Sequence, residues 1–424
     1  MIEKAYGANE NKVNIYQLLL VFIVFYISDD TVLFGTNISQ VFIISKYVLY
    51  TLLCLGLGVV IYIQRTEREL KPNRYKGNFL IFVIYLSYIL TMAVNLDFRP
   101  GYLIELIVFT LAVCIVNTVN FKEFFIYFNK ILYFFCLCSL GVLVLNFTVP
   151  FLIRIFPTAI NYANTEFYNL FITVVFKEMS FFRNTGIFRE PGVFIIYLNI
   201  GLIYQLFVLP KSSLKHIIVF TLALFTTLST TGFLVLLVIV LGAVFRKSTL
   251  KMKLISSFVV VTFILIFLLN PAINELVFGK LNEESSEYIS AFSRLSSFSV
   301  PLWIFFNNPF FGSGLTRFVD LYSLYSLKLF GFELEASQAS TNTIFNKFAT
   351  FGVIYGSIVI YGLFNLARIL GKKFLVGVCL FAAFFVLFSS QEMRFSLLFY
   401  IILFYGIDIS SVKIKDFYLN KVIE

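Results

Sequence analysis

Apolar residues fill this chain in long, nearly continuous blocks, broken by short polar stretches and by two long ones. A bilayer core of about 30 Å takes about 20 apolar residues per helix. Only helices and closed barrels satisfy the backbone there, and barrel strands would alternate apolar with polar positions. Helices are therefore expected, and the blocks predict twelve spans: 13–28, 40–63, 78–96, 102–119, 124–149, 192–209, 217–228, 232–245, 254–269, 343–366, 374–388 and 395–409. The first reads as a span rather than as a cleaved leader. The seventh and eighth are short, and Ser229-Thr230-Thr231-Gly232 between them reads as a tight turn or an unwound kink. The long polar stretches are 150–192 and 270–342, the latter with apolar pieces at 300–306 and 321–332 that suit short helices on a membrane surface. The expected fold class is all-α: one polytopic transmembrane domain, 1–424, with about 12 transmembrane helices and two large extracytoplasmic loops.

Composition agrees with that picture. Hydrophobic residues make up 59% and charged residues 13%, where a soluble domain has about 45–50% and about 25%. The net charge of +10 need not mean nucleic acid, because basic residues accumulate on the cytoplasmic side of membrane proteins. Of the 33 Lys and Arg, twenty fall on one side of the predicted spans and ten on the other, with Lys46, Lys130 and Lys347 inside spans. The richer side is cytoplasmic by that rule, which puts both termini inside and both long loops outside. The five cysteines lie in apolar runs, so no disulfide framework is expected. The one histidine, His216, sits on the basic side beside Lys215. There is no Walker or Rossmann pattern and no Asp-x-Asp pair, only the adjacent Asp29-Asp30. No metal, nucleotide or other cofactor is expected.

Chemistry is sought in the two loops. The first ends Arg183-Asn184-Thr185-Gly186-Ile187-Phe188-Arg189-Glu190-Pro191-Gly192. Pro191 suits the first turn of a helix. That helix end carries partial positive charge and free N–H groups, and Arg183 and Arg189 beside it could grip phosphate oxygens bidentately. Glu190 is placed to act as a base, or simply to cap the helix. The bland alternative for the arginines is contact with lipid headgroups. The second loop carries Ser293-Arg294, Trp303, then Asn307-Asn308-Pro309-Phe310-Phe311-Gly312-Ser313-Gly314 and Arg317. Gly312 and Gly314 could form a turn whose amides converge on an anion, or a plain turn between surface helices. Ser340-Thr341-Asn342-Thr343 reads as an N-cap for the tenth span, with Lys347 one turn inside.

These features resemble the O-antigen polymerase and ligase superfamily. The resemblance rests on two large outer loops, on Arg183-x-x-Gly186-x-Phe188-x-x-Pro191 before a span, and on Asn308-Pro309-x-x-Gly312-x-Gly314 in the second loop. Leu228-Ser229-Thr230-Thr231-Gly232 and Thr341-Asn342-Thr343 through Gly352 add to it. The ligase branch would carry a histidine before the tenth span, where this chain has Ser340-Thr341-Asn342. The departure favours polymerase. The resemblance implies a metal-independent membrane glycosyltransferase of the bacterial inner membrane, which polymerises undecaprenyl-diphosphate-linked repeat units of an O-antigen or capsule. Its partners would be that lipid-linked glycan, membrane lipid and, as a candidate, a chain-length regulator, with no nucleic acid. Expected catalytic residues are Arg183, Arg189 and Glu190. Expected substrate-binding residues are Arg294, Arg317, Asn184, Gly312, Gly314 and Asn342. The alternatives are an O-antigen ligase, a flippase or exporter of lipid-linked oligosaccharide, expected to have short loops and midplane charges, and a non-catalytic membrane scaffold or partner subunit for polysaccharide assembly, which would tolerate loss of every loop arginine.

Overall fold

The computed structural model describes residues 15–35, 40–66, 75–160, 165–177, 183–209, 212–247 and 288–408. The expected ninth span, 254–269, lies outside them. In chain order the helices are α1 (Ile15–Tyr26), α2 (Gln40–Thr66), α3 (Tyr75–Asn95), α4 (Pro100–Thr118), α5 (Phe121–Thr148), α6 (Pro191–Ile203), α7 (Leu214–Thr226), α8 (Thr230–Lys247), α9 (Tyr288–Asn307), α10 (Gly314–Phe330), α11 (Thr343–Gly371), α12 (Phe374–Ser389) and α13 (Leu397–Asp408). Among the described residues six segments are long and apolar enough to cross a membrane, and α1, α7, α8, α12 and α13 supply shorter apolar helices. The protein is a mainly helical, membrane-embedded protein.

Local chemistry sets the helix starts. Pro100 opens α4 and Pro191 opens α6, where a missing N–H costs nothing. The Asn120 side chain accepts from Glu123 N at 2.9 Å to cap α5, and Asn342 accepts from Phe345 N at 3.0 Å to cap α11. Each such cap is worth about 0.5–2 kcal/mol. The segments expected as the short seventh and eighth spans form the short helices α7 and α8. The turn between α7 and α8 is tight, with Leu228 at φ 51°.

Helices apolar on every side belong inside. In α6 each residue from Val193 to Ile203 is buried, and so is each from Leu397 to Ile407 of α13. By contrast α2 leaves Ile44, Val48, Leu52, Leu55 and Val59 exposed, the pattern of a lipid-facing helix.

The first loop departs from the all-helical expectation. Strands β1 (Thr158–Ile160), β2 (Glu166–Asn169) and β3 (Val174–Phe176) form an antiparallel sheet in the order β1-β2-β3. The physical reason is side-chain alternation. Ala159, Phe167, Val174 and Phe176 point inward onto Val32, and the paired Phe167 and Phe176 rings lie 4.7 Å apart. The second loop carries two helices longer than its apolar pieces suggest. α9 and α10 share a small core of Val300, Ile304, Phe318 and Tyr322 with Leu334. Gly331, at φ 79°, ends α10.

The most unusual element is α11, which breaks at Gly352 (φ 79°, ψ −173°). The break parts Val353 N–H from Ala349 C=O, which an unbroken helix would join. Residues 309–313 of the second loop take up both groups. Val353 N donates to Pro309 O at 2.8 Å, and Ser313 N donates to Ala349 O at 2.9 Å. Backbones meet so closely here that a Cβ on Gly352 would lie 2.1 Å from Phe310 O, and one on Gly312 would lie 2.3 Å from Thr350 O. Only glycine fits.

Candidate functional site

The helix ends that sequence alternation assigns to the outer side are tied together. Arg189 N donates to Asp30 O at 3.0 Å, and Arg189 Nη2 to Glu392 O at 2.6 Å. The buried Asp30 carboxylate accepts from Tyr197 at 2.7 Å and Ser396 at 2.6 Å. Asp97 accepts from Thr316 N at 2.7 Å and Thr316 Oγ1 at 2.6 Å, so the loop before α4 caps α10 from outside its own helix. Beside the Arg189–Glu392 contact, at Glu190 and Gln391, lies a cavity of about 290 Å³. Arg183, Glu190, Pro191, Gly192, Ile195, Ser229, Thr231, Arg294, Ser297, Phe298, Thr341, Phe385, Val386, Ser389, Ser390 and Gln391 line it.

Its lining is layered. Glu190, Ser229, Thr231 and Ser389 lie where α6, α8 and α12 begin or end, while Ile195, Phe385 and Val386 lie about one helical turn further into the bundle. The N-termini of α6 and α8 both meet the cavity, and unbonded first-turn amides with aligned dipoles make such ends attractive to anions. Arg183 adds charge, its Nε held on Thr227 O at 3.1 Å. Arg294 faces it from the exposed side of α9. Glu190 occupies the N-cap position of α6 but makes no side-chain cap. Glu190 is one of the residues lining the cavity.

Three of the nine expected site residues therefore meet: Arg183, Glu190 and Arg294. The others sit elsewhere. Arg189 is turned toward Asp30 and the Glu392 carbonyl. Burial works against its charge, and Glu190, Asp30 and Glu392 outweigh it and push its pKa up. Asn184 is buried, its amide on Ser139 and Thr226 and its Oδ1 on Gly186 N. Gly312 and Gly314 belong to the α11 junction and to its neighbour Asp97. Asn342 caps α11. Arg317 is exposed on α10 and is not among the cavity residues. Glu166 pairs with Lys177 on the sheet.

Sequence reading missed the segment 389–394. Ser389, Ser390 and Gln391 line the cavity. Gln391 lies against the first turn of α6, where a Cβ on Gly192 would be 2.0 Å from Gln391 Nε2. The polar run Ser389-Ser390-Gln391-Glu392-Met393-Arg394 between two apolar helices was the available signal. Burial pushes the Glu392 carboxyl above the usual range, against Arg394, Arg189 and Lys347. Burial also raises Asp30, opposed by Arg189, Ser396 and Tyr197. Next to them, Glu105 of α4 accepts from Lys347, from Tyr400 and from Arg394 Nε at 3.3 Å. Nothing near Glu105 in the sequence announces a partner so far along the chain.

A ligand with a phosphate or diphosphate at the level of the helix ends and carbon chain below it would match both layers of the cavity. Among the described residues no cluster of His, Cys, Asp and Glu has the makings of a metal site. Comparison with models of known families gives no match, and comparison with curated proteins gives none either.

Proposed function

We propose that the protein is a polymerase of the O-antigen polymerase and ligase superfamily. It joins undecaprenyl-diphosphate-linked repeat units by glycosyl transfer at the outer face of the bacterial inner membrane. The twelve-span layout with both termini cytoplasmic is part of the proposal. The observation that carries it is the meeting of Arg183, Arg294 and Glu190, from two distant loops, in one cavity at the predicted outer end of the bundle. In this mechanism Arg183 and Arg294, with the α6 and α8 N-termini, hold the diphosphate leaving group and stabilise the charge that grows on it. The layered lining positions donor and acceptor, and Glu190 accepts the acceptor hydroxyl's proton.

The absence of an outer histidine in the sequence supports polymerase over ligase. The buried Glu105–Lys347–Arg394 cluster lies within about two turns of the helix starts, not at the midplane where a transporter would place its charges. Deletion of the protein tests the reading. A polymerase defect leaves surface glycan of a single repeat, whereas loss of all repeat-bearing glycan would overturn polymerase in favour of ligase or flippase. Purified protein should also lengthen lipid-linked repeat units without added metal.

A further inference from the structure

The cavity is electrically lopsided, and its neutral side has no place yet in the mechanism. α6 and α8 present their positive N-terminal ends to it, beside Arg183 and Arg294, while α12 presents its C-terminal end, at Ser389. Helix C-termini repel anions. A diphosphate therefore belongs on the arginine side, and the α12 side suits a neutral, hydroxyl-rich group. Ser389 lines the cavity and is 3% exposed, and its buried Oγ has no hydrogen-bond partner among the described residues. A buried hydroxyl without a partner is costly, and in folded proteins such groups are nearly always satisfied. Its neighbour Ser390 differs, because the Ser390 hydroxyl is spent on Leu387 O at 2.8 Å. Gln391 completes the wall. Its backbone carbonyl accepts from Thr343 Oγ1 at 2.7 Å, and its side-chain amide is seated in the space left by Gly192.

We infer that Ser389 and Gln391 form a sugar-reading subsite, which hydrogen-bonds the hydroxyl groups of the saccharide attached to the lipid diphosphate. A hydroxyl can give and take one bond each, and a primary amide offers both a donor and an acceptor. Such a pair suits the neighbouring hydroxyls of a pyranose better than it suits an anion. The inference rests on the polymerase reading and adds to it the residues that recognise the glycan.

Binding in nanodiscs separates the two ideas. The probes are undecaprenyl diphosphate and the lipid-linked oligosaccharide purified from cells lacking the protein. The wild type should bind the glycan-bearing lipid more tightly than the bare one. Ser389→Ala should weaken the glycan-bearing lipid by about 3- to 10-fold, the worth of one neutral hydrogen bond, and leave bare undecaprenyl diphosphate unchanged, with an unaltered melting curve. Arg183→Ala should weaken both. Equal binding of both lipids by the wild type overturns the subsite while the lipid-diphosphate reading stands. So does a Ser389→Ala effect that is absent or the same for both probes. Failure of the wild type to bind either lipid overturns both.

Discussion

The ion cluster below the site gives the most exacting test of the architecture. The Glu105 side chain is 1% exposed and the Lys347 side chain 3% exposed. Removing one partner of a buried pair costs about 3–5 kcal/mol, because the other is left charged and uncompensated. The surroundings decide where in that range each variant falls. After Lys347→Met, Glu105 still accepts from Tyr400 and from Arg394 at 3.3 Å, so the cost should lie near 3 kcal/mol. After Glu105→Gln, Lys347 and Arg394 lose the one carboxylate bonded to both and keep only the unbonded charge of Glu392 nearby, so the cost should lie toward about 5 kcal/mol. Replacing both charges is often nearly neutral, so Glu105→Gln with Lys347→Met should be more stable than Glu105→Gln alone. SDS-titrated unfolding in micelles, followed by circular dichroism, supplies the double-mutant cycle. Singles within about 1 kcal/mol of wild type, or a double variant that costs the sum of the singles, would refute the coupling.

Four further outcomes follow from the geometry. Glu190→Gln should slow turnover of lipid-linked repeat units by about 10²–10⁴ with normal protein level, because Glu190 makes no cap to lose; near-normal turnover removes it as the base. Arg183→Lys should impair polymerisation in protein of wild-type stability, whereas Arg189→Lys, which disturbs the Asp30 and Glu392 junction, should lower thermal stability and membrane abundance. Gly352→Ala should destabilise more than a helix glycine normally would, since both its positive φ and the 2.1 Å approach of Phe310 O oppose a methyl group; a melting temperature equal to wild type would contradict the packing. Asp97→Asn should cost about 0.5–2 kcal/mol, like the loss of a cap. Burial opposes the Asp97 charge, but hydrogen bonds from Thr316 and Tyr102 hold its pKa below the usual range, so its contribution is complete above about pH 4 and fades as pH falls through the lower folded value. Stability of variant and wild type, measured from pH 7 down to pH 3, should differ throughout the neutral range and converge only in acid.

Much of the helical framework was legible because it is written locally. Apolar blocks, Pro191 and the Asn342 cap all act within a turn or two of themselves. What stayed hidden depends on distant contacts. The signature around Arg183 reads as one binding motif, yet the fold splits it. Arg183 and Glu190 face the cavity, Asn184 and Phe188 are buried in the scaffold, and Arg189 is a brace. Gly312 and Gly314 looked like an anion-binding turn because glycine permits that as readily as it permits close approach. Only the position of Gly352 decides between the two. The small sheet escaped notice because its strands, three or four residues each, are too short to give a periodic signal.

The divided α11 also bears on how the chain is made. Its first piece, 343–351, is about 14 Å long and ends at a pair of backbone groups that it cannot join to one another. Their partners, Pro309 and Ser313, precede α11 in the sequence. During synthesis the receiving loop is therefore already in existence when α11 emerges, and the helix can seat its interrupted end as soon as it inserts. The reverse order would strand an unpaired donor and acceptor at the membrane edge, where each unmet group costs several kcal/mol. Residues 309–313, a loop by sequence, therefore complete the backbone hydrogen bonding of α11 and are a structural part of that helix.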